Sequence, residues 1–196
     1  MERFGFVGLP NAGKSSLYNA LAGGGALAAP YAFATTDPNE GVARVPDNRL
    51  SLLGEMSDSQ KIVSATIQFT DIGGLVEGAA KGEGLGNRFL AGIREVDAIV
   101  FVLRAFSDND VPGPTDPVEH LRIVEVELAL ADLETTQKKL LKMEKVAKSD
   151  KSIGQILDSL KHASEQLDQG IPIYKSDLTS SERELLSDFF LLTNKP

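Results

Sequence analysis

Residues 8–15 read Gly8-Leu9-Pro10-Asn11-Ala12-Gly13-Lys14-Ser15 and fit the pattern G-x-x-x-x-G-K-[ST]. Residues 4–7, just before this stretch, predict a β-strand, and residues 15–22 predict a helix. The glycines let the backbone turn tightly, so that successive N–H groups can point inward and hold a phosphate. Lys14 then supplies a positive charge for the β- and γ-phosphates, and the Ser15 hydroxyl can bind Mg²⁺. The stretch predicts a phosphate-binding loop in which six consecutive residues hold the nucleotide: Asn11, Ala12, Gly13, Lys14, Ser15 and Ser16.

The first part of the chain alternates short apolar runs with glycine-rich turns. Four runs predict strands, at residues 4–7, 42–45, 65–70 and 98–103. The helix after the phosphate loop and a second helix, at residues 87–96, lie between these strands in the sequence. Strands that alternate with helices predict a mostly parallel, doubly wound sheet with flanking helices. The expected fold class is therefore α/β, as in P-loop nucleotide-binding domains.

After about residue 121, glycine nearly vanishes and apolar residues repeat at helical spacing. The repeat forms two stripes, which are Val126, Ala129, Leu133, Thr136, Leu140, Met143 and Ala147, then Ile153, Ile156, Leu160, Ala163 and Leu167. Two such stripes joined by a short turn predict an inserted antiparallel α-helical coiled coil. Thr179 and Glu182 predict a capping box at the start of a third helix. We therefore expect a nucleotide-binding domain at residues 1–120 and a helical insertion at residues 121–196.

Residues outside the phosphate loop are candidates for the rest of a Mg²⁺–nucleotide site. Asp71 closes the predicted third strand, and Gly74 completes an Asp-x-x-Gly pattern. A carboxylate at the C-terminal end of a strand beside the phosphate-loop strand can hold Mg²⁺ through water, while the glycine amide can bond the γ-phosphate. Thr35 and Thr36 lie in a predicted loop, where one threonine can complete the Mg²⁺ shell when triphosphate is bound. The residues alone leave open which of the two does so.

Composition excludes several classes of function. The chain has 196 residues, a net charge of −8, no cysteine and two histidines. The absence of cysteine excludes disulfides, iron–sulfur clusters and a thiol nucleophile, and two histidines argue against a structural zinc site. The negative charge argues against broad electrostatic binding to DNA or RNA by this segment alone, and no apolar run approaches the roughly 20 residues that span a bilayer. We expect a cytoplasmic protein that binds neither DNA nor membranes.

The motifs and their spacers together resemble the YchF-type, or Obg-like, ATPases of the translation-factor class of P-loop proteins. The resemblance rests on LPNAGKSSL at residues 9–17, FAT at 33–35, PNEG at 38–41, DIGGLV at 71–76 and GAAKGEGLGN at 78–87. It implies a G-domain with a coiled-coil insertion, Mg²⁺ dependence, ATP preferred over GTP, and association with ribosomes. It also selects Thr35 over Thr36, so that Ser15, Thr35 and Asp71 would hold the metal. Lys14, Thr35 and Gly74 would act on the reacting phosphates.

The chain departs from this family in two places. Family members continue into a base-recognition motif, the rest of the sheet and a C-terminal TGS domain, so we expect a fragment with an incomplete G-domain whose base recognition lies beyond Pro196. Leu75 stands where Ras-like proteins carry a glutamine that orients water, and residues 108–116 contain no histidine. His120 lies nearby, and we interpret it as a surface helix residue. Slow hydrolysis is therefore expected.

Two further features of the sequence each allow two interpretations. Asn11 either stabilises the loop by hydrogen bonds or seats K⁺ beside the phosphates, as in the potassium-activated G proteins that residues 10–17 resemble. A cluster of lysines at the predicted hairpin tip is either a solvated face or a surface for ribosomal RNA. Its members are Lys138, Lys139, Lys142, Lys145, Lys148 and Lys151.

The predicted function is Mg²⁺-dependent binding and slow hydrolysis of a nucleoside triphosphate, with ATP favoured, as a conformational switch on ribosomes. Two alternatives stay open, namely a GTPase switch and a ribosome-docking module without significant turnover. A metabolic kinase fits less well, because it needs a second substrate pocket and a lid where the sequence predicts a helical hairpin. The oligomeric state is open, and a monomer is expected for the complete protein.

Overall fold

The computed structural model describes residues 2–22, 39–72, 85–107, 113, 115–147 and 151–196. Within them, four strands form one mixed sheet: β1 (Arg3–Val7), β2 (Asn39–Arg44), β3 (Thr66–Asp71) and β4 (Ala98–Phe101), in the order β2-β3-β1-β4. Strand β1 pairs in parallel with β3 and with β4. The strand that leads into the phosphate loop is therefore flanked on both sides.

The pairing of β2 with β3 is antiparallel, which the sequence did not predict. A parallel pair needs a connection that crosses a face of the sheet. The connection here contains a helix absent from the sequence prediction, α2 (Asn48–Met56), and this helix buries no side chain. Because α2 does not cover the sheet, the chain returns beside β2 instead of crossing over it.

The other α-helices of the described residues follow the predicted order along the chain. They are α1 (Lys14–Ala22), α3 (Leu85–Glu95), α4 (Pro117–Ala147), α5 (Gly154–Asp168) and α6 (Ser180–Leu185). The capping box at α6 is confirmed, because Thr179 Oγ1 accepts from Glu182 N and the Glu182 carboxylate accepts from Thr179 N. None of the described helices combines the length and apolar character needed to cross a bilayer.

Helix α4 contributes side chains to two hydrophobic clusters. Val124 and Leu128 pack with Val7 beneath the sheet, whereas Ala129 packs with Leu160 of α5. These positions occupy different faces of one continuous helix, so the boundary expected after residue 120 falls inside α4. Val126, the first member of the predicted stripe, is exposed.

The last residues of the chain are anchored on α4 and on the sheet edge. The Asp132 carboxylate accepts from Leu192 N, Thr193 N and Thr193 Oγ1, each at 2.7 Å. Burial raises the pKa of Asp132 to about 6, although these three hydrogen bonds favour its charged form. Ile99 N of β4 donates to Pro196 O at 2.9 Å, so residues 192–196 are held against both α4 and β4.

Candidate nucleotide-binding site

The phosphate loop connects the end of β1 to the first turn of α1. A Cβ atom on Gly8 would lie 2.3 Å from Val102 O, so only glycine fits between the loop and the segment after β4. Asn11 and Gly13 have φ angles of 63° and 98°, in the left-handed region that favours glycine and tolerates asparagine. These two residues make the tight turn that the motif predicts, and α1 begins at the next residue, Lys14.

Lys14 is the buried cation of this loop. The residue is 7% exposed, and its ammonium donates to Gly8 O at 3.1 Å and to Leu9 O at 3.0 Å. Burial lowers the pKa of Lys14 to about 8, and the charge of Asp71 opposes this effect. The loop's own carbonyl groups therefore hold the Lys14 charge in place at the exit of β1.

Ser15 and Asp71 meet at the ends of neighbouring elements. Because β1 and β3 are parallel, Asp71 at the end of β3 lies opposite Phe6, close to the phosphate loop. Ser15 Oγ donates to Asp71 Oδ2 at 2.6 Å. Burial raises the pKa of Asp71, while the bond from Ser15 and the charge of Lys14 lower it.

This pair fits a Mg²⁺ ion by its chemistry. Asp71 is 1% exposed, and its Oδ1 atom has no hydrogen-bond partner among the described residues. A buried carboxylate oxygen of this kind is satisfied when it accepts from a water molecule held by a hard cation. The Ser15 hydroxyl, 2.6 Å from the same carboxylate, supplies a further oxygen ligand of the type that Mg²⁺ prefers.

Part of the predicted site lies outside the described residues. The residues outside the described part are Thr35, Thr36, Gly74, Leu75 and Lys148. Lys151 is described by its backbone but not by its side chain. Of the predicted site residues, the structure thus brings together Lys14, Ser15 and Asp71. Ala12 is buried and Ser16 is exposed in the first turn of α1.

His120 is not a surface residue, contrary to the sequence interpretation. It is 1% exposed in the first turn of α4, and its Nε2 atom lies 2.8 Å from Leu9 N in the phosphate loop. Its Nδ1 atom lies 2.9 Å from Arg104 N, after β4. The missed signal was helical spacing, because His120 is four residues before Val124 and eight before Leu128, both of which are buried.

Comparisons with known proteins agree with this geometry. A family described as "50S ribosome-binding GTPase" matches residues 3–169. The ribosome-binding ATPase YchF of Bacillus subtilis is 44% identical in an alignment of 196 residues that covers 98% of this chain and 54% of that protein. The protein of the same name from Escherichia coli O157:H7 is 42% identical, with the same shares covered.

A solved structure extends the likeness to the fold. The Schizosaccharomyces pombe YchF GTPase superposes with a TM-score of 0.77 at 35% identity, covering 100% of this chain and 55% of that one. The chain thus spans about half the length of the relatives it matches. The expected P-loop α/β fold and the resemblance to YchF-type proteins are confirmed. The chain belongs to the 50S ribosome-binding GTPase family and is a homologue of the YchF proteins.

Proposed function

We propose that the chain binds a nucleoside triphosphate with Mg²⁺ and hydrolyses it slowly, with ATP favoured over GTP, as a conformational switch on ribosomes. The observation that carries the proposal is the meeting of Lys14, Ser15 and Asp71 where β1 and β3 end. The relatives' names, ribosome-binding ATPase and 50S ribosome-binding GTPase, support both the type of ligand and the ribosome as partner. Work on the ribosome implies a cytoplasmic location.

Each residue of the site would have its own role in binding the triphosphate and its metal ion. Lys14 would bring a fixed positive charge to the β- and γ-phosphates, together with the amides of residues 11–16. Ser15 and Thr35 would ligate the metal, Asp71 would orient it through water, and Gly74 would donate to the γ-phosphate. When bound, Mg²⁺ would neutralise negative charge on the β- and γ-phosphate oxygens. The roles of Thr35 and Gly74 rest on the sequence pattern.

Slow turnover follows from the residue at position 75. The Leu75 side chain has no donor or acceptor with which to orient an attacking water. We propose that K⁺ seated beside Asn11 supplies part of the missing charge stabilisation. Replacing Na⁺ by K⁺ should then accelerate hydrolysis, and Asn11→Ala should abolish the difference. A rate that does not depend on K⁺ removes this part of the proposal.

The helical second part of the chain would contact the ribosome. We propose that α4 and α5 form a coiled-coil insertion, with residues 1–120 as the nucleotide-binding part. Lys142 and Lys145 are exposed near the C-terminal end of α4, where phosphates of ribosomal RNA could neutralise them. Lys138 forms an ion pair with Glu134, so less of its positive charge is available to RNA phosphates.

Calorimetric titration with ATP and with GTP, each with Mg²⁺ and with EDTA, tests the proposal. Binding should require Mg²⁺, and any difference between the dissociation constants for ATP and GTP should favour ATP. The opposite preference would favour a GTPase switch, the candidate that the descriptions of the matched family and of the S. pombe protein support. Absence of binding to both nucleotides would contradict the proposal.

A further inference from the structure

The His120 ring lies between two backbone amides, one in the segment that follows β1 and one in the segment that follows β4. Leu9 directly follows the phosphate-loop glycine after β1, and Arg104 follows β4. Their N–H groups point at opposite nitrogens of one buried ring, at 2.8 Å and 2.9 Å. The two strand exits are also joined directly, because Val102 N donates to Val7 O at 2.8 Å.

The hydrogen-bonding capacity of imidazole does not match both contacts at once. A backbone N–H can only donate, and a neutral histidine has one nitrogen that accepts and one that carries a proton. One tautomer therefore accepts from Leu9 and the other from Arg104. A doubly protonated ring accepts from neither, which leaves both buried amides without an acceptor.

The Leu9 contact reaches the Lys14 ammonium through a single peptide group. Leu9 N and Gly8 O belong to the same planar peptide unit. Its N–H faces His120 Nε2, and its oxygen accepts from Lys14 Nζ at 3.1 Å. The orientation of this peptide is thus held from one side by His120 and from the other by Lys14, so loss of the His120 contact leaves it held from one side only.

The charges around the ring favour its neutral form. Lys14, from the loop and α1, and Arg104, from the segment after β4, both carry positive charges that act on the ring. Burial, followed by these two charges, lowers the pKa of His120 below its usual value of 6.5. No carboxylate among the described residues acts on the ring to oppose them.

We propose that His120, as the neutral tautomer whose Nε2 accepts from Leu9 N, is a positioning residue of the phosphate loop, and that protonation of its ring releases the Gly8–Leu9 peptide and weakens triphosphate binding in acid. The inference rests on the proposed function, because it assumes that the loop binds phosphates. It adds a proton-sensitive element at a residue that contacts no phosphate itself.

Two variants separate the two ring contacts. In His120→Gln, the side-chain oxygen reaches the place of Nε2 and accepts from Leu9 without titrating. In His120→Asn, the oxygen takes the place of Nδ1 and accepts only from Arg104. Unfolding curves at pH 7.5 and 5.0 establish that each variant is folded.

Fluorescence titration with N-methylanthraniloyl-ATP and Mg²⁺ at pH 7.5 and 5.0 gives the first readout. The parent should lose more affinity than His120→Gln as the pH falls, by up to about 30-fold for a ring whose pKa is no higher than 6.5, since one proton must leave for each loop that binds. His120→Asn should bind about tenfold more weakly than His120→Gln at pH 7.5. The probe and His162 titrate in the parent and in both variants alike, so their effects cancel when the three pH dependences are compared. Equal pH dependence of the parent and His120→Gln would overturn the inference.

Nuclear magnetic resonance of the nucleotide-free parent gives a second readout that needs no ligand. The Leu9 amide proton should shift with the same midpoint as the His120 ring nitrogens, and it should not titrate in His120→Gln. A Leu9 amide indifferent to the ring would overturn the inference even if nucleotide binds. A Leu9 amide that follows the ring, in a chain that binds no probe at pH 7.5, would instead contradict the proposed function.

Discussion

Replacement of Lys14 by methionine should weaken binding of Mg²⁺–ATP by about 10- to 150-fold. The Lys14 ammonium is already desolvated and fixed, since the residue is 7% exposed and bonded to Gly8 O and Leu9 O at 3.1 and 3.0 Å. A hydrogen bond between such a group and a charged phosphate is worth about 1.5–3 kcal/mol, which corresponds to this range of affinities. Methionine keeps the unbranched apolar stem, so the change isolates the charge.

Calorimetric titration of the parent, Lys14→Met and Lys138→Met measures the effect. Lys138→Met makes the same change of net charge at an exposed site, where the ion pair with Glu134 one turn away is worth at most about 0.5 kcal/mol. Its affinity for Mg²⁺–ATP should stay within about twofold of the parent's. If folded Lys14→Met binds Mg²⁺–ATP as tightly as the parent, Lys14 is not the cation that holds the phosphates.

Further variants test the packing and the electrostatics. Gly8→Ala should lower the free energy of unfolding by about 3 kcal/mol, because its Cβ would lie 2.3 Å from a backbone oxygen, whereas Gly154→Ala, with open space around it, should not; urea unfolding compares them. Asp132→Ala should cost about 2–5 kcal/mol in the same assay, because two buried amides of the C-terminal segment lose their acceptor; a cost below about 1 kcal/mol would refute its anchoring role. Hydrogen bonding with Glu182, and secondarily with Asp177, raises the pKa of His162. The contribution of His162 to the stability of the fold is therefore complete below pH 6.5 and is lost as the pH rises through the raised pKa. The melting temperature of the parent should therefore fall more between pH 6 and pH 8 than that of His162→Gln, and parallel curves would show that the histidine contributes nothing.

Local patterns predicted the elements that carry their own signal. The phosphate loop was predictable because glycine, lysine and serine occur at fixed spacing between a strand and a helix. The α6 capping box was predictable because both of its partners lie within four residues. Helix α2 was missed although Leu50, Leu53 and Met56 recur at a spacing of three and Asp47 accepts from Arg49 N as its N-cap. It has only nine residues and buries none of its side chains.

Features that depend on the path of the chain were out of reach of local patterns. The direction of β2 depends on whether its connection crosses the sheet, which residue types do not encode. Helical spacing with Val124 and Leu128 does indicate that His120 is buried, but its position between the ends of β1 and β4 depends on where α4 begins. The stripe predicted on α4 described only the face toward α5, whereas the face toward the sheet has a stripe of its own.

Helix α4 has the dimensions of a lever arm, in the mechanical sense. Its 31 residues correspond to a rod about 46 Å long, at about 1.5 Å per residue. One end touches the phosphate loop through His120, and Lys145 lies about 38 Å further along the rod. A tilt of about 5° around the first turn displaces that distal end by about 3 Å, which is comparable to the length of a hydrogen bond. A small rearrangement around the loop would thus be magnified into a larger displacement at the distal end, because the helix is continuous between the two.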